Sequence, residues 1–322
     1  MVKLYATLGP ACAQTETLAR MLDAGMNGVR LNLSHMTLQE AEPWLEALAQ
    51  AGQSRGVSPE LLIDLQGPEL RIGRLRQAVE LTEGASVSLD FIPPELREHI
   101  ARGQELLLDD GKLLLCAQDQ NRALVLRGGV LHSRKSIALP GLSIHLPTLT
   151  RDDRKALAQA VGCGVTGVMQ PFVRSRGDLE QLRRVLDENG GESIRIFAKI
   201  ENREGVDQLP ELLDAADEMI VARGDLGNAV PLWELPGVQK RIAACCREHH
   251  KPFMVVTQML ASMEHSPIPT RAEMSDIFNA VLDGVSSVML TNETAAGDYP
   301  VEAVAFMRRC VEAASVYRNN IM

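Results

Sequence analysis

Lys199 and Glu201 stand two residues apart at the end of the apolar run from Arg195 to Ile200. If that run is a strand, its two-residue period puts both side chains on one face, so they share a site. Glu201 together with Asp225 offers two hard carboxylates, a donor set that suits Mg2+ or Mn2+ with the other positions left to water and substrate. A plainer reading of the same spacing is a buried Lys–Glu pair that only fills the interior. Arg30 adds fixed positive charge beside Lys199 for a phosphate or carboxylate, and its planar fork suits bidentate contact. Arg30 alternates with Asn32 and Ser34, which again places three polar groups on one rim; a solvated arginine is the bland alternative. In Arg223-Gly224-Asp225-Leu226-Gly227 the glycines flank a helix start, where bare backbone N–H groups can hold an anion.

The remaining polar residues of this kind are Asp64, Thr257 and Glu293, each just after a short apolar run. His35 follows the Arg30–Ser34 rim and is placed to reach a nucleotide. His249 and His250 read as surface residues at a helix C-terminus, where a cation is stabilising. His132 and His145 have no partner spacing that fits zinc. The six cysteines, at 12, 116, 163, 245, 246 and 310, form no C-x-x-C pair and read as reduced and mostly buried.

These residues need a scaffold that brings strand ends together. Eight apolar runs followed by longer amphipathic stretches supply one: Lys3 to Thr7, Gly28 to Asn32, Glu60 to Asp64, Gly167 to Gln170, Arg195 to Ile200, Met219 to Ala222, Phe253 to Val256 and Ser287 to Leu290. Such alternation signals parallel β/α units, and eight of them close most naturally into a (β/α)8 TIM barrel whose reactive groups lie at the carboxyl ends of the strands. The chain's 322 residues exceed the roughly 250 a barrel needs. The excess sits between Asp64 and Gly167, where alternating segments such as Val87-Ser88-Leu89 and Leu106-Leu107-Leu108 mark an inserted β-rich subdomain. Gly67-Pro68 and Pro140-Gly141 punctuate its edges, so the expected division is a barrel over 1–70 and 139–322 and an insert over 71–138. Helical patterning resumes at Thr150 to Ala160, and a last helix starts near Pro300.

Hydrophobic residues make up 45% of the chain and charged residues 23%, enough for a full core. The net charge of -9 opposes nonspecific binding to nucleic acid or an anionic membrane, though not a locally built anion site. No apolar N-terminal segment or membrane-length run is visible, which favours a cytoplasmic location.

The motifs in order resemble the pyruvate kinase family over nearly the whole chain. Thr7-Leu8-Gly9-Pro10-Ala11, Arg30-Leu31-Asn32-Leu33-Ser34-His35 and Asp64-Leu65-Gln66-Gly67-Pro68-Glu69-Leu70-Arg71 are similar to its opening strand, its phosphate and potassium rim, and the entry to its lid. Leu108-Asp109-Asp110-Gly111, Ser133-Arg134-Lys135 and Leu139-Pro140-Gly141 resemble lid motifs. Lys199-Ile200-Glu201-Asn202, Val221-Ala222-Arg223-Gly224-Asp225-Leu226-Gly227, Thr257-Gln258-Met259-Leu260, Pro269-Thr270-Arg271-Ala272-Glu273 and Glu293-Thr294-Ala295-Ala296-Gly297 resemble the second half of the barrel.

The resemblance implies transfer of the phosphoryl group of phosphoenolpyruvate to ADP, giving pyruvate and ATP. It assigns Glu201 and Asp225 to a divalent metal, Lys199 and Arg30 to the phosphoryl group, Gly224 and Asp225 to the substrate carboxylate, and Thr257 to the neighbourhood of the enolate carbon. It also implies K+ held by Asn32, Ser34 and Asp64, and nucleotide contacts from His35, Arg71 and Lys135. An acid at Glu69, where potassium-independent members tend to carry lysine, argues that the ion is wanted. The family's C-terminal regulatory domain is expected to be missing, with its effector site, while a homo-oligomer through barrel faces stays open. Met36, Ser136, Ala138, Gln170-Pro171-Phe172, Asn228-Ala229-Val230 and Thr291-Asn292 depart from the family's usual residues. Two alternatives remain beside the kinase: a metal-dependent pyruvate-enolate lyase or aldolase, and a non-catalytic metabolite-binding paralogue.

Overall fold

The computed structural model describes residues 2–109, 111–142, 144 and 146–321, so Asp110 and His145 lie outside the described residues. The chain divides into two compact units, one of residues Met1–Gly67, Thr148–Arg223 and Pro236–Met322, the other of Pro68–Pro147 with Gly224–Leu235.

The larger unit is a closed parallel barrel. Its strands are β1 (Lys3–Thr7), β2 (Gly28–Asn32), β3 (Glu60–Asp64), β4 (Gly167–Gln170), β5 (Arg195–Ile200), β6 (Glu218–Ala222), β7 (Phe253–Val256) and β8 (Ser287–Leu290). Each pairs with its neighbour in sequence and β1 pairs with β8, so the ring closes. The expected (β/α)8 barrel is therefore the observed one. Strand β6 starts one residue before the apolar run that marks it, because its first residue, Glu218, is an acid that an apolar search passes over.

Strand periodicity sorts the interior into layers. Tyr5, Leu62, Met169, Phe197, Ile220, Ala222, Met254, Val256 and Met289 form one buried cluster. They come from alternate positions on seven of the eight strands, which is only possible on the face that points inward. Two residues further along, the same face carries Thr7, Asp64 and Lys199; two residues earlier it carries Lys3, Glu60, Arg195, Glu218 and Ser287. Gly167 leaves room for this middle layer, since a Cβ there would lie 2.6 Å from the Phe197 ring and 2.7 Å from Leu62.

Local signals fix the outer helices. Thr150 caps the helix Arg151–Gln159 through a reciprocal capping box with Asp153. The Asp153 carboxylate also accepts the backbone N–H groups of Gln66 (2.9 Å) and Gly67 (3.1 Å), which fastens the chain as it leaves β3. The helix Arg271–Leu282 starts on a second capping box, Thr270 with Glu273, and Glu273 also accepts from the Ser262 backbone (2.7 Å) and hydroxyl (2.6 Å). The last helix is Pro300–Ile321, starting where the proline predicts.

The smaller unit holds an antiparallel five-stranded sheet in the order Ile137–Ala138, Glu105–Leu108, Leu113–Ala117, Arg122–Arg127, Ser86–Ser88, and a strand pair Val79–Leu81 with Gly129–Leu131. Its core is aliphatic: Leu89, Leu106, Leu115, Ala123 and Val125 are fully buried. All six cysteines are free thiols, but only Cys12, Cys246 and Cys310 are buried, so the expectation that most of them are holds for half. Burial pushes the Cys12 thiol up to about 11 and Cys246 to about 12, values that keep both as unreactive thiols near neutral pH. No helix among the described residues is long and apolar enough to cross a membrane.

Candidate active site

At the C-terminal mouth of the barrel the inward face ends in a connected set of charges. Arg30 donates from Nε (2.8 Å) and Nη2 (2.6 Å) to Asp64 Oδ2, and from Nη1 to the Thr7 hydroxyl (3.3 Å). Lys199 Nζ lies 3.2 Å from both Asp64 oxygens and 2.9 Å from Glu201 Oε1. The other Glu201 oxygen accepts the backbone N–H of Phe172 at 2.8 Å. Two cations and two acids thus alternate across β2, β3 and β5. The spacing of Lys199 and Glu201 predicted a shared face, and the two side chains do meet.

The set is desolvated. The side chains of Asp64 and Glu201 are 2% and 1% exposed, and those of Arg30 and Lys199 only 14% and 12%. Burial alone would push the Asp64 carboxyl up. The charges of Lys199 and Arg30, with their hydrogen bonds, outweigh it and hold that carboxyl below the usual range.

Strained backbone clusters at the same mouth. Phe172, just past β4, has φ 51°, and Thr257 and Gln258, just past β7, have φ 70° and 52°. A β-branched threonine in the left-handed region is an outlier that its surroundings must enforce. The turn after β7 is held on two sides. Arg223 Nη2 donates to the Thr257 carbonyl at 2.6 Å, and Glu293, buried after β8, accepts the backbone N–H groups of Leu260 (3.0 Å) and Thr291 (2.6 Å).

The rim after β2 turns inward on itself: Asn32 Oδ1 accepts the Ser34 backbone N–H at 3.1 Å, and the His35 N–H donates to the Asn32 carbonyl at 3.4 Å. His35 is exposed. Gly224 and Asp225 open the short helix Arg223–Ala229 directly after β6.

Residues 1–304 match a family model described as "Pyruvate kinase, barrel domain". The chain belongs to the pyruvate kinase family. It is 37% identical to the pyruvate kinase of Sporosarcina psychrophila, over 98% of this chain and 58% of that one, and 37% identical to that of Geobacillus stearothermophilus, over 95% and 56%. The pyruvate kinase of Aeropyrum pernix is 39% identical over 96% of this chain and 69% of its own. The chain therefore spans a little over half the length of the first two pyruvate kinases.

Two of the residues that the pyruvate kinase resemblance assigns to the nucleotide lie in the smaller unit. Arg71 donates to Glu69 (2.9 and 2.6 Å) and to the Arg134 carbonyl (2.8 Å), while Lys135 pairs with Asp109 at 2.7 Å. Burial pushes the Asp109 carboxyl up, but Lys135 and Lys112 outweigh it and hold it low. Glu69, read above as a sign that a cation is wanted, is engaged by Arg71. Among the described residues there is no group of three or more His, Cys, Asp or Glu that could hold a metal ion. Sequence reasoning missed three members of this mouth. The Phe172 N–H and the Thr7 hydroxyl act through backbone placement and a short side chain, which no spacing rule flags. Arg223 sat inside a quoted motif, but nothing in the motif told where its fork would point.

Proposed function

We propose that this chain is a phosphotransferase that moves the phosphoryl group of phosphoenolpyruvate to ADP, leaving the enolate of pyruvate to take up a proton. The observation that carries this reading is the buried alternation of Arg30, Asp64, Lys199 and Glu201. Charges at 1–14% exposure are costly beside a largely apolar cluster, and a site for an anionic substrate accounts for them.

Phosphoryl transfer needs positioning and charge neutralisation more than covalent help. Lys199 and Arg30 supply fixed positive charge for the phosphoryl group in flight. Glu201 and Asp225 would hold Mg2+ or Mn2+. Both offer only hard oxygen donors, and two carboxylates leave coordination positions for substrate oxygens and water. When bound, the divalent ion neutralises charge on the phosphoryl and enolate oxygens. The backbone N–H groups of Gly224 and Asp225 hold the substrate carboxylate. Thr257 stands near the carbon that receives the proton. Asn32, Ser34 and Asp64 serve K+, and His35, Arg71 and Lys135 serve the nucleotide. Residues 71–138 act as a lid over a catalytic barrel formed by 1–70 and 139–322, and the enzyme works in the cytoplasm.

The test is pyruvate formation from phosphoenolpyruvate with Mg2+, with and without ADP and K+, comparing wild type with Lys199→Met. ADP-dependent turnover that the substitution abolishes is expected. Metal-loaded protein that binds oxalate but gives no turnover with any nucleoside diphosphate would sink the kinase reading, leaving a lyase or a sensor.

A further inference from the structure

All three nitrogens of the Arg223 guanidinium have partners. Its Nε donates to the Val256 carbonyl (3.3 Å) and its Nη1 to both Asp276 oxygens (2.8 and 2.6 Å). Its Nη2 donates to the Thr257 carbonyl (2.6 Å) and the Met259 sulfur (2.9 Å). Each of the three nitrogens in the fork therefore has a partner within the protein, with Nη1 set against both oxygens of one carboxylate. The side chain is 14% exposed. Its four partners are all groups of the protein, so holding them in place is the work its contacts show.

What it does grip is the segment with two consecutive non-glycine residues at positive φ, Thr257 and Gln258. The Val256 carbonyl receives both the Arg223 Nε and, at 2.6 Å, the Thr257 hydroxyl. One carbonyl thus links the guanidinium to the orientation of that hydroxyl. Asp276, on the helix Arg271–Leu282, holds the far side of the fork and fixes its plane. A lysine could not reproduce this, because a point charge with tetrahedral donors cannot span two successive carbonyls, a sulfur and a carboxylate.

We propose that Arg223 is the positioning residue for Thr257, locking the turn after β7 in its left-handed conformation so that the threonine hydroxyl faces the carbon that gains or loses a proton. This rests on the role given to Thr257 in the function proposed above. The affected step is transfer of a proton between the pyruvate methyl group and solvent, in which a C–H bond breaks, the enolate forms, and the carbon is reprotonated.

That step is read alone by 1H NMR, following deuterium uptake into the pyruvate methyl group in D2O with Mg2+ and K+. Oxalate affinity is measured in parallel, as a probe of the metal and carboxylate contacts. For Arg223→Lys we expect exchange to fall by more than about tenfold, since small misplacement of a reacting group is costly in rate. Oxalate affinity should stay within about threefold, a split that separates positioning from binding. Asp276→Asn, which leaves the arginine but frees one side of its fork, should show the same split more weakly and serves if the lysine variant does not fold. Exchange at the wild-type rate in the variants overturns the proposal, as does a parallel loss of exchange and oxalate affinity. Wild type that exchanges no methyl protons and turns over no phosphoenolpyruvate would instead defeat the function reading on which this one stands.

Discussion

The two mouths of the barrel carry the same charges and put them to different use. At the C-terminal mouth Arg30 and Lys199 face Asp64 and Glu201; at the N-terminal mouth Lys3 and Arg195 face Glu60, with Glu218 beside them on β6. Two cations and two acids stand at each end. The difference is water: Glu218 is buried, but the other three groups of the N-terminal mouth are open to solvent. At the N-terminal mouth Lys3 is 43% exposed, Arg195 33% and Glu60 24%, so their pairing is screened and contributes little. The Tyr5 hydroxyl and the stacking of Arg195 over Phe197 (4.9 Å) tie that end to the core. At the other mouth the acids are at most 2% exposed, and each charge depends on its partners. A solvated network is tolerant. A desolvated one is held in place by its own members and answers strongly when one of them is lost.

Substitutions at the two ends should separate them. Lys199→Met is expected to lower kcat at least about a hundredfold, the scale of losing one preorganised electrostatic contact, in the phosphoenolpyruvate assay. Asp64→Asn leaves Arg30 and Lys199 without their common counter-ion and should cost about 3 kcal/mol in urea unfolding. Its pH dependence has a definite sign. The Asp64 carboxyl is held below its ordinary value, so its contribution is present above the unfolded value near 3.9 and is lost as pH falls through the folded one. The acid limb of the stability curve should therefore be flatter in Asp64→Asn than in wild type. Glu60→Gln, the matching change at the solvated mouth, should cost at most about 1 kcal/mol and leave turnover untouched; a loss as large as that of Asp64→Asn would erase the distinction between the two ends.

The smallest effect is expected at Glu218. Burial raises its carboxyl, and the hydroxyls of Ser287 and Ser286 only partly offset this. Its penalty applies above the folded value and lifts as pH falls through it, opposite in sign to Asp64. Glu218→Gln should raise the thermal midpoint at neutral pH by at most about 2 °C, with the gain disappearing below pH about 4.

What could be read beforehand follows the strength of each physical signal. The barrel strands are short apolar runs between glycines and amphipathic stretches, and seven of the eight begin and end where that patterning puts them. The pairing of Lys199 with Glu201 needs only a two-residue period. Arg30 gave a weaker signal: its spacing aligned it with Asn32 and Ser34, but its fork goes to Asp64 on the next strand, a partner set by barrel register. In the inserted sheet, the alternating segments at Val87 and Leu106 fall at Ser86–Ser88 and Glu105–Leu108. The longer strands Leu113–Ala117 and Arg122–Arg127 pair with a register shift between Leu114 and Leu115 that alternation alone does not reveal. The strained turns at Phe172 and Thr257 left no trace in residue type, since neither residue favours positive φ.

Between the two mouths lies the apolar cluster of Tyr5, Leu62, Met169, Phe197 and their neighbours, with the Tyr5 hydroxyl donating to Glu60. It works as a septum. Glu60 and Asp64 on β3 are roughly 13 Å apart along the strand, and Tyr5 is the one titratable member of the cluster between them. On the role proposed for Thr257, protons for the substrate carbon would arrive from the C-terminal side alone. They would share the substrate's opening, and the solvent admitted there would settle the isotope content of the product.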